Sequence, residues 1–182
     1  ITNPSTYATT TEKNVLGEVV KVTDAKMGSV TYAYDALGNN RLITKDSAVN
    51  TVIKHDHLGR KVKLIDPDVG TITYVYDGFG NLLTQTDNKQ QTQTFEYDAL
   101  GRIKVSQQIT TGGNLDSHIT YQYDIQQNGL GKLSFVYDEL NDISKEYFYN
   151  ELSLAYRETT TIDGDVYHHD TLYDKQNSYR VK

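Results

Sequence analysis

Residues 73–81 read Thr73-Tyr74-Val75-Tyr76-Asp77-Gly78-Phe79-Gly80-Asn81, and residues 31–39 read nearly the same, Thr31-Tyr32-Ala33-Tyr34-Asp35-Ala36-Leu37-Gly38-Asn39. In both stretches tyrosines alternate with small or polar residues, a period of two that is typical of a half-buried β-strand. The Asp and Gly that follow predict a tight turn. Asp can accept hydrogen bonds from nearby backbone N–H groups, and Gly tolerates positive φ.

This strand-and-turn unit recurs every 21 residues. The residue after each strand is one of the series Asn14, Asp35, Asp56, Asp77 and Asp98, and a glycine follows three residues later at Gly17, Gly38, Gly59, Gly80 and Gly101. A second strand, such as residues 61–65, leads to a second turn, such as residues 66–70 or 24–28. Repetition at a fixed period is the signature of repeat architectures. We therefore predict an all-β fold, a spiral of antiparallel β-hairpins with strands that end near Tyr34, His55, Tyr76 and Tyr97.

The chain divides into three predicted segments. Residues 1–13 are a partial repeat or lead-in, residues 14–108 are regular repeats, and residues 109–182 are degenerate repeats of the same array. In the last segment the markers Tyr123-Asp124, Tyr137-Asp138 and Tyr149-Asn150 follow at steps of 26, 14 and 12 residues. We interpret the short steps as units that have lost a strand or merged. Because the chain begins without Met and stops in mid-pattern at residues 179–182, we expect it to be a piece of a longer array.

The composition favours an extended sheet over a dense core. Of 182 residues, 37% are apolar and the mean hydropathy is −0.60, while 15 are Tyr and 4 are Phe. Tyr suits a pleated, half-buried surface on which the ring packs and the hydroxyl finds a partner. The net charge of −6 argues against nucleic-acid binding, and the absence of a Lys/Arg cluster argues against membrane binding. Without cysteine there is no disulfide and no thiolate-bound metal.

The unit Tyr-Asp-x-x-Gly-Asn/Arg, which stands at residues 34–39 and 76–81, resembles the YD repeat of bacterial Rhs proteins. Relatives include the B and C components of Tc-type insecticidal toxin complexes and animal teneurins. The resemblance is close over residues 14–108 and loose beyond. It implies a hollow β-shell that encloses a toxic C-terminal domain, and a secreted or bacterial cell-surface location. The internal protease-like motif of that family has no match here, so we carry no autoproteolysis over to this chain.

Several residues could carry chemistry, and each also has a structural interpretation. Ca²⁺ could bind at the turn aspartates Asp24, Asp35, Asp46, Asp56, Asp66, Asp77, Asp87 and Asp98. Each turn offers one carboxylate, and only residues 66–68 offer two, which favours capping of the turn. The pair His55 and His57, which we expect on one strand face, and the cluster His168-His169-Asp170 could hold a metal. We favour repeat variation and surface roles for them, because adjacent strand residues point to opposite faces. Residues 129–132 lack the spacing of a phosphate loop. We predict no metal site, no cofactor and no enzymatic activity.

Two functional hypotheses remain. In the first, the chain is a structural segment of a shell whose partners are the remainder of the parent chain and an enclosed toxin or effector polypeptide. The turn residues Asp35, Gly38, Asp56, Gly59, Asp77, Gly80, Asp98 and Gly101 then hold the repeat in shape. In the second, it is a glycan- or cell-surface-binding module that uses Tyr32, Tyr34, Tyr74 and Tyr76. Tyr rows that pack between strands or face a lumen would favour the shell, and a flat, wet Tyr row would favour the binding module.

Overall fold

The computed structural model describes residues 9–26, 28–46, 48–174 and 180–181. These residues form strands and turns and no helix. The strands are β1 (Thr10–Lys13), β2 (Val19–Thr23), β3 (Ser29–Tyr34), β4 (Asn40–Lys45), β5 (Val49–His55), β6 (Lys61–Asp66), β7 (Gly70–Tyr76), β8 (Leu82–Thr86), β9 (Thr92–Tyr97), β10 (Ile103–Ile109), β11 (Leu115–Tyr123), β12 (Leu133–Asp138), β13 (Ile143–Tyr149), β14 (Ala155–Ile162), β15 (Asp165–Asp170), β16 (Tyr173–Asp174) and β17 (Arg180–Val181). The predicted strand ends at Tyr34, His55, Tyr76 and Tyr97 are confirmed. Met27, residues 1–8 of the predicted lead-in and residues 179 and 182 of the terminal stretch lie outside the described residues.

The strands β1 to β15 follow one another in a single open sheet in sequence order, and β16 pairs with β17. The all-β antiparallel fold is thus confirmed. The chain forms two compact units, the first of residues up to 80 together with 85–89, and the second of residues 81–84 together with those from 90 onward. Each unit is a meander in which every strand pairs with its sequence neighbours, because every connection is a short turn.

The alternating pattern of the sequence gives each unit one apolar face. In the first unit Tyr32 pairs with Ile43, and Leu64 pairs with both Ile53 and Ile72. Polar residues pair on the other face, as in Thr31 with Thr44. Since directly opposed residues of neighbouring strands point to the same side, apolar residues collect on one surface.

This apolar face has no second layer over it in the described part of the chain. No described hydrophobic side chain is fully buried, and the buried polar side chains are Ser106 and Ser134. A single sheet covers a side chain only with neighbours on the same face, which leaves Tyr32, Ile43 and their neighbours half-buried. The extended, solvated sheet that the composition predicted is therefore observed.

The prediction that the irregular segment has lost strands is wrong. Strands β11 to β15 are all present and each pairs with the next. Tyr137 and Asp138 end β12 at the opposite end of the strands from Asp124 and Asn150, so they mark a turn of the other kind. The Tyr-Asp pair occurs at both ends of the strands, and spacing alone does not distinguish them. The step from Asp124 to Asn150 is a full repeat, lengthened by a turn at residues 124–131 that Ser134 Oγ holds by accepting the backbone N–H of Ile125 at 3.0 Å.

Candidate functional site

The repeat turns are the turns that begin at Asn14, Asp35, Asp56, Asp77, Asp98, Asp124 and Asn150, and they carry most of the predicted site residues. At Asp35, carboxylate oxygen Oδ1 accepts the backbone N–H groups of Leu37 and Asn39, both at 2.9 Å. The Asp35 N–H donates to the Asn39 carbonyl at 2.9 Å, and the Gly38 N–H donates to the Asp35 carbonyl at 3.1 Å. The predicted capping of the turn by its own Asp is therefore observed.

The same hydrogen bonds recur in the other repeat turns except the longer one at Asp124, where Oδ1 accepts the backbone N–H of Gly131 at 2.6 Å. Asp56 and Asp98 accept the N–H groups two and four residues later at 2.9 and 3.0 Å, and Asp77 accepts that of Phe79 at 2.9 Å. Asn14 and Asn150 form the same pair of bonds with a neutral amide oxygen, each at 3.0 Å. The turn therefore requires an oxygen at this position and not a negative charge.

The glycines of the repeat turns adopt the predicted left-handed conformation. The φ angles are +82° at Gly38, +77° at Gly59, +94° at Gly80 and +76° at Gly101. A Cβ added to Gly80 would meet no atom within 4 Å. Glycine at that position is thus required by the backbone conformation and not by crowding.

The carboxylates of the repeat turns are held in the charged form. The pKa of Asp35 lies below its usual range because the backbone N–H of Asn39 donates to it. The pKa of Asp98 is lowered by the N–H of Arg102, and the pKa of Asp124 is lowered by the Arg102 guanidinium. The lowered pKa of each of these carboxylates thus results from the hydrogen bonds that it accepts at its turn, and for Asp98 and Asp124 also from the ion pair with Arg102.

The tyrosine that precedes each repeat turn forms a tie to the neighbouring strand. The Tyr34 hydroxyl donates to the Val19 carbonyl at 2.8 Å, and the Tyr76 hydroxyl donates to the Lys61 carbonyl at 2.8 Å. The paired registers of β2 with β3 and of β6 with β7 stop before these residues. The hydroxyl therefore closes the end of a hairpin where backbone pairing has ended. The other ties are Tyr97 to Leu82, Tyr123 to Ile103, Tyr149 to Leu133 and Tyr173 to Ala155.

Sequence reasoning missed these ties, although a signal for them was present. The column that ends the strands is filled by Tyr and not by Phe, and a half-buried Tyr hydroxyl usually has a hydrogen-bond partner. What the sequence did not show is which carbonyl accepts the bond.

An arginine that stands four residues after the Asp of a repeat turn connects that turn to the next one. Arg60 donates Nε to Asp56 Oδ2 at 2.7 Å and Nη1 to the carbonyl of Asp77 at 3.0 Å. Its guanidinium carbon lies 4.9 Å from the centre of the Tyr76 ring. One side chain thus contacts its own turn, the next turn and the tyrosine of the next tie.

Arg102 forms an equivalent joint in the second unit. It donates Nε to Asp98 at 2.7 Å and Nη2 to Asp124 at 2.8 Å, and its guanidinium carbon lies 4.2 Å from the centre of the Tyr123 ring. At both arginines a planar cation satisfies a carboxylate and stacks on an aromatic ring, two interactions that suit Arg better than Lys.

His55 occupies the place of a tying tyrosine but forms no tie. It ends β5 as the tyrosines end their strands, and Asn40 begins β4 as Val19 begins β2. Both His55 Nδ1 and Asn40 Oδ1 are buried atoms without a hydrogen-bond partner. His57, expected on the same strand face as His55, lies instead in the repeat turn, because β5 ends at His55. The prediction that the two histidines share a strand face is therefore wrong, and the alternative of a ligand pair loses its basis.

The four tyrosines considered for ligand contact fall into two kinds. Tyr34 and Tyr76 form ties, so their hydroxyls are already engaged. Tyr32 and Tyr74 lie two residues earlier and are half-buried on the apolar face. The Lys61 ammonium lies 4.7 Å from the centre of the Tyr74 ring and covers part of it.

The remaining candidates do not converge on a site. Arg157 pairs with Asp170 through two bonds of 2.6 and 2.8 Å, and His168 contacts the Thr159 hydroxyl at 3.0 Å. Across residues 9–174, with the two gaps, no group of three or more His, Asp or Glu side chains is placed to hold a metal ion. No helix long and apolar enough to cross a membrane occurs among the described residues.

The chain is similar to known proteins in part of its sequence and in its fold. The family model described as RHS Repeat matches residues 76–115, which include the repeat turns at Asp77 and Asp98. No curated protein sequence matches the chain. Among solved structures, the crystal structure of TcdB2-TccC3 is similar with a TM-score of 0.74 at 16% identity, covering 94% of this chain and 10% of that one. The Photorhabdus luminescens Tc holotoxin pore is similar with a TM-score of 0.65 at 13% identity, covering 97% and 10%.

At these identities the solved structures show the fold, and the chain spans about a tenth of the length of the solved chains that it matches. Residues 76–115 match the RHS Repeat model, and the resemblance of the chain to the YD- and Rhs-repeat family is confirmed.

Proposed function

We propose that the chain is a non-catalytic structural segment of a YD/Rhs-repeat shell that encloses or presents a toxin or effector polypeptide. The observation that carries the proposal is a sheet with one apolar face over which the described residues form no second layer. Tyr32, Ile43, Ile53 and Leu64 lie on that face in the first unit, and none of them is fully buried. Because an uncovered apolar surface of this extent is unusual on an isolated domain, other polypeptide is expected to cover it.

The contacts of the polar residues support a structural role as part of a shell wall. The turn carboxylates cap turns, the tyrosine hydroxyls close hairpins, and Arg60 and Arg102 join one repeat turn to the next. Each of these groups is engaged within the sheet. This arrangement stabilises a sheet in which no described hydrophobic side chain is fully buried.

The context of a toxin complex is part of this proposal. The similar solved structures are of TcdB2-TccC3 and of a Tc holotoxin pore, and their chains are about ten times longer. We accordingly propose a secreted or cell-surface location, and as partners the remainder of the parent chain and an enclosed polypeptide. We retain residues 14–108 and 109–182 as regular and irregular parts of one array.

The alternative, a glycan- or cell-surface-binding module, has less support. A platform that stacks sugar rings needs free aromatic faces with polar groups around them. The hydroxyls of Tyr34 and Tyr76 are engaged in ties, and Lys61 lies over Tyr74. These contacts favour the wall.

Protease protection in the parent protein tests the proposal. We expect the polypeptide that follows the repeat array to resist trypsin in the wild-type parent. A parent with Tyr76→Phe and Tyr97→Phe, which removes two ties, should expose it faster than one with Tyr32→Phe, whose hydroxyl forms no tie. Digestion as fast as that of the isolated polypeptide would contradict enclosure. Micromolar binding of a glycan by the 182-residue chain, abolished by Tyr32→Ala with Tyr74→Ala, would favour the binding module.

A further inference from the structure

A row of exposed apolar side chains projects from the repeat turns of the first unit. Leu16 is 79% exposed, Leu37 68%, Leu58 62% and Phe79 95%. Each stands at the same position, two residues after the Asn or Asp that caps the turn. This turn-tip row differs from the apolar face because its side chains lie at the ends of the strands.

The repeated hydrogen bonds of the turns align the row. The backbone N–H of each of the four residues donates to the Oδ1 atom of its capping residue at 2.9 or 3.0 Å. Each turn also contains a glycine with φ between +77° and +94°. Because the four backbones have the same shape, the four side chains leave them in the same direction. Successive tips are two strands apart, which is about 9.6 Å.

This spacing matches a second row of the same period. A two-fold axis perpendicular to the sheet and through the middle of the row turns the row end for end and returns tips at the same interval of about 9.6 Å, so that each tip of one copy meets a tip of the other. The complementary surface has apolar tips at the same interval, and a second copy of this chain presents it. That axis places Leu37 of one copy opposite Leu58 of the other, and Leu16 opposite Phe79, within van der Waals contact.

Charge permits this contact despite the net charge of −6 of the chain. Around the four turns, Glu18 and the carboxylates of Asp35, Asp56 and Asp77 are offset by Lys13, Arg41, Arg60 and Lys61. The Asp56 carboxylate is paired with Arg60 at 2.7 Å, and that of Asp35 accepts three different hydrogen-bond donors, so neither projects as an isolated charge. Two copies would therefore meet at a nearly neutral surface.

The area of the row sets the strength of the contact. A large aliphatic side chain removes about 100 Å² of apolar surface from water. Four of them on each of two copies bury about 800 Å², which is below the 1,200–2,000 Å² or so that is typical of stable complexes. This size is that of a weak, reversible dimer.

We propose that the turn-tip row of Leu16, Leu37, Leu58 and Phe79 is a self-association surface, through which two copies of the chain meet tip to tip about a two-fold axis. This surface is distinct from the open strand edges of the sheet. The contact does not depend on an enclosed polypeptide.

Sedimentation velocity of the 182-residue chain tests the proposal. Between about 10 μM and 1 mM we expect reversible dimerisation with a dissociation constant on the order of 10⁻⁴ M. Leu37→Ser with Leu58→Ser should weaken it at least about tenfold. Val49→Ser with Val69→Ser, which changes two exposed valines at the opposite ends of the strands, should leave it unchanged. A monomeric wild type, or a Leu variant that dimerises like wild type, would overturn the proposal.

Cysteine pairing gives a second measurement that depends on geometry alone. Because the chain has no cysteine, a variant with Leu37→Cys and another with Leu58→Cys can be mixed and oxidised. The two-fold arrangement predicts that the mixed disulfide forms several-fold faster than the disulfide of either variant with itself. Equal rates for all three pairs would overturn the arrangement. Val166→Lys, a change on the outermost strand β15, should not alter these rates, and a loss of cross-linking in that variant would assign the contact to the strand edge instead.

Discussion

The tyrosine that ends each repeat strand packs its ring on the sheet and donates its hydroxyl to a carbonyl of the neighbouring strand. Tyr34 and Tyr76 do so in the first unit over 2.8 Å. Phenylalanine would keep the packing but leave that carbonyl without its donor. This difference explains why Tyr and not Phe stands at the six positions that form ties.

Removal of one tie should lower stability by a measurable amount. We expect Tyr76→Phe to lower the free energy of unfolding by about 1 kcal/mol, the net contribution of a typical hydrogen bond. The control is Tyr32→Phe, which removes a hydroxyl that forms no tie and should change stability by less than half of that. Urea unfolding monitored by circular dichroism provides the comparison. Equal effects of the two changes would mean that the tie does not stabilise the sheet.

Restoration of the missing tie should raise the free energy of unfolding. His55 stands where a tyrosine ties in six other repeats, and His55 Nδ1 and Asn40 Oδ1 are left without partners. We expect His55→Tyr to donate to the Asn40 carbonyl and to raise the free energy of unfolding by about 1 kcal/mol. His55→Phe, which fills the same space without a hydroxyl, is the matched control. A variant His55→Tyr no more stable than His55→Phe would disprove the equivalence of the positions.

At the scale of the element, the repeat turn combines an oxygen cap with a glycine in the left-handed region. Asn14 and Asn150 cap their turns as Asp35 does, so the cap tolerates a neutral oxygen. The glycine is less replaceable, because a side chain at positive φ is strained even where space is free.

Two glycines of a single turn distinguish the effect of backbone conformation from the effect of steric crowding. Neither Gly78 nor Gly80 would bring an added Cβ within 4 Å of another atom, but Gly80 has a φ of +94° and Gly78 is not in the left-handed region. We expect Gly80→Ala to lower the melting temperature, with a loss of about 1 kcal/mol, and Gly78→Ala to be neutral or slightly stabilising. Differential scanning calorimetry of both variants would test this. An unchanged melting temperature for Gly80→Ala would show that the turn accommodates a side chain.

At the scale of the whole molecule, the sheet is stabilised by ionised carboxylates at its turns, and none of the hydrophobic side chains that the structure describes is fully buried. Depressed pKa values at Asp35, Asp98 and Asp124 mean that the folded state binds protons less readily than the unfolded chain. The stability that these groups contribute is fully present above the unfolded pKa of about 3.9 and is lost as the pH falls through the lower folded values.

The chain should therefore be acid-sensitive. We expect the free energy of unfolding to fall as the pH drops below about 4, where protonation removes the charge that the turn N–H groups and Arg102 stabilise. Urea titrations at several pH values from 3 to 7 would measure it. Replacement of Asp35 and Asp98 by Asn should flatten the acid limb, because the amide oxygen keeps the cap without titrating. Equal stability of the wild type at pH 3 and pH 6 would exclude this mechanism.

The local structure of the strand ends and turns could be predicted from the sequence. The strand ends at Tyr34 and Tyr97, the capping by Asp35 and the positive φ of Gly80 follow from a period of two and from the turn preferences of Asp and Gly. Each of these features depends on residues within about five positions of one another, so no knowledge of the neighbouring strand is needed.

The tertiary structure alone decided what joins one strand to another. The ties connect residues 15 or more positions apart, and the joint from Arg60 to Asp77 spans 17. It also showed that Tyr137 and Asp138 belong to the opposite end of the strands from Asp124. These features depend on register and on which ends of the strands meet. The same dipeptide has different neighbours at the two ends of a strand, and only strand pairing determines those neighbours.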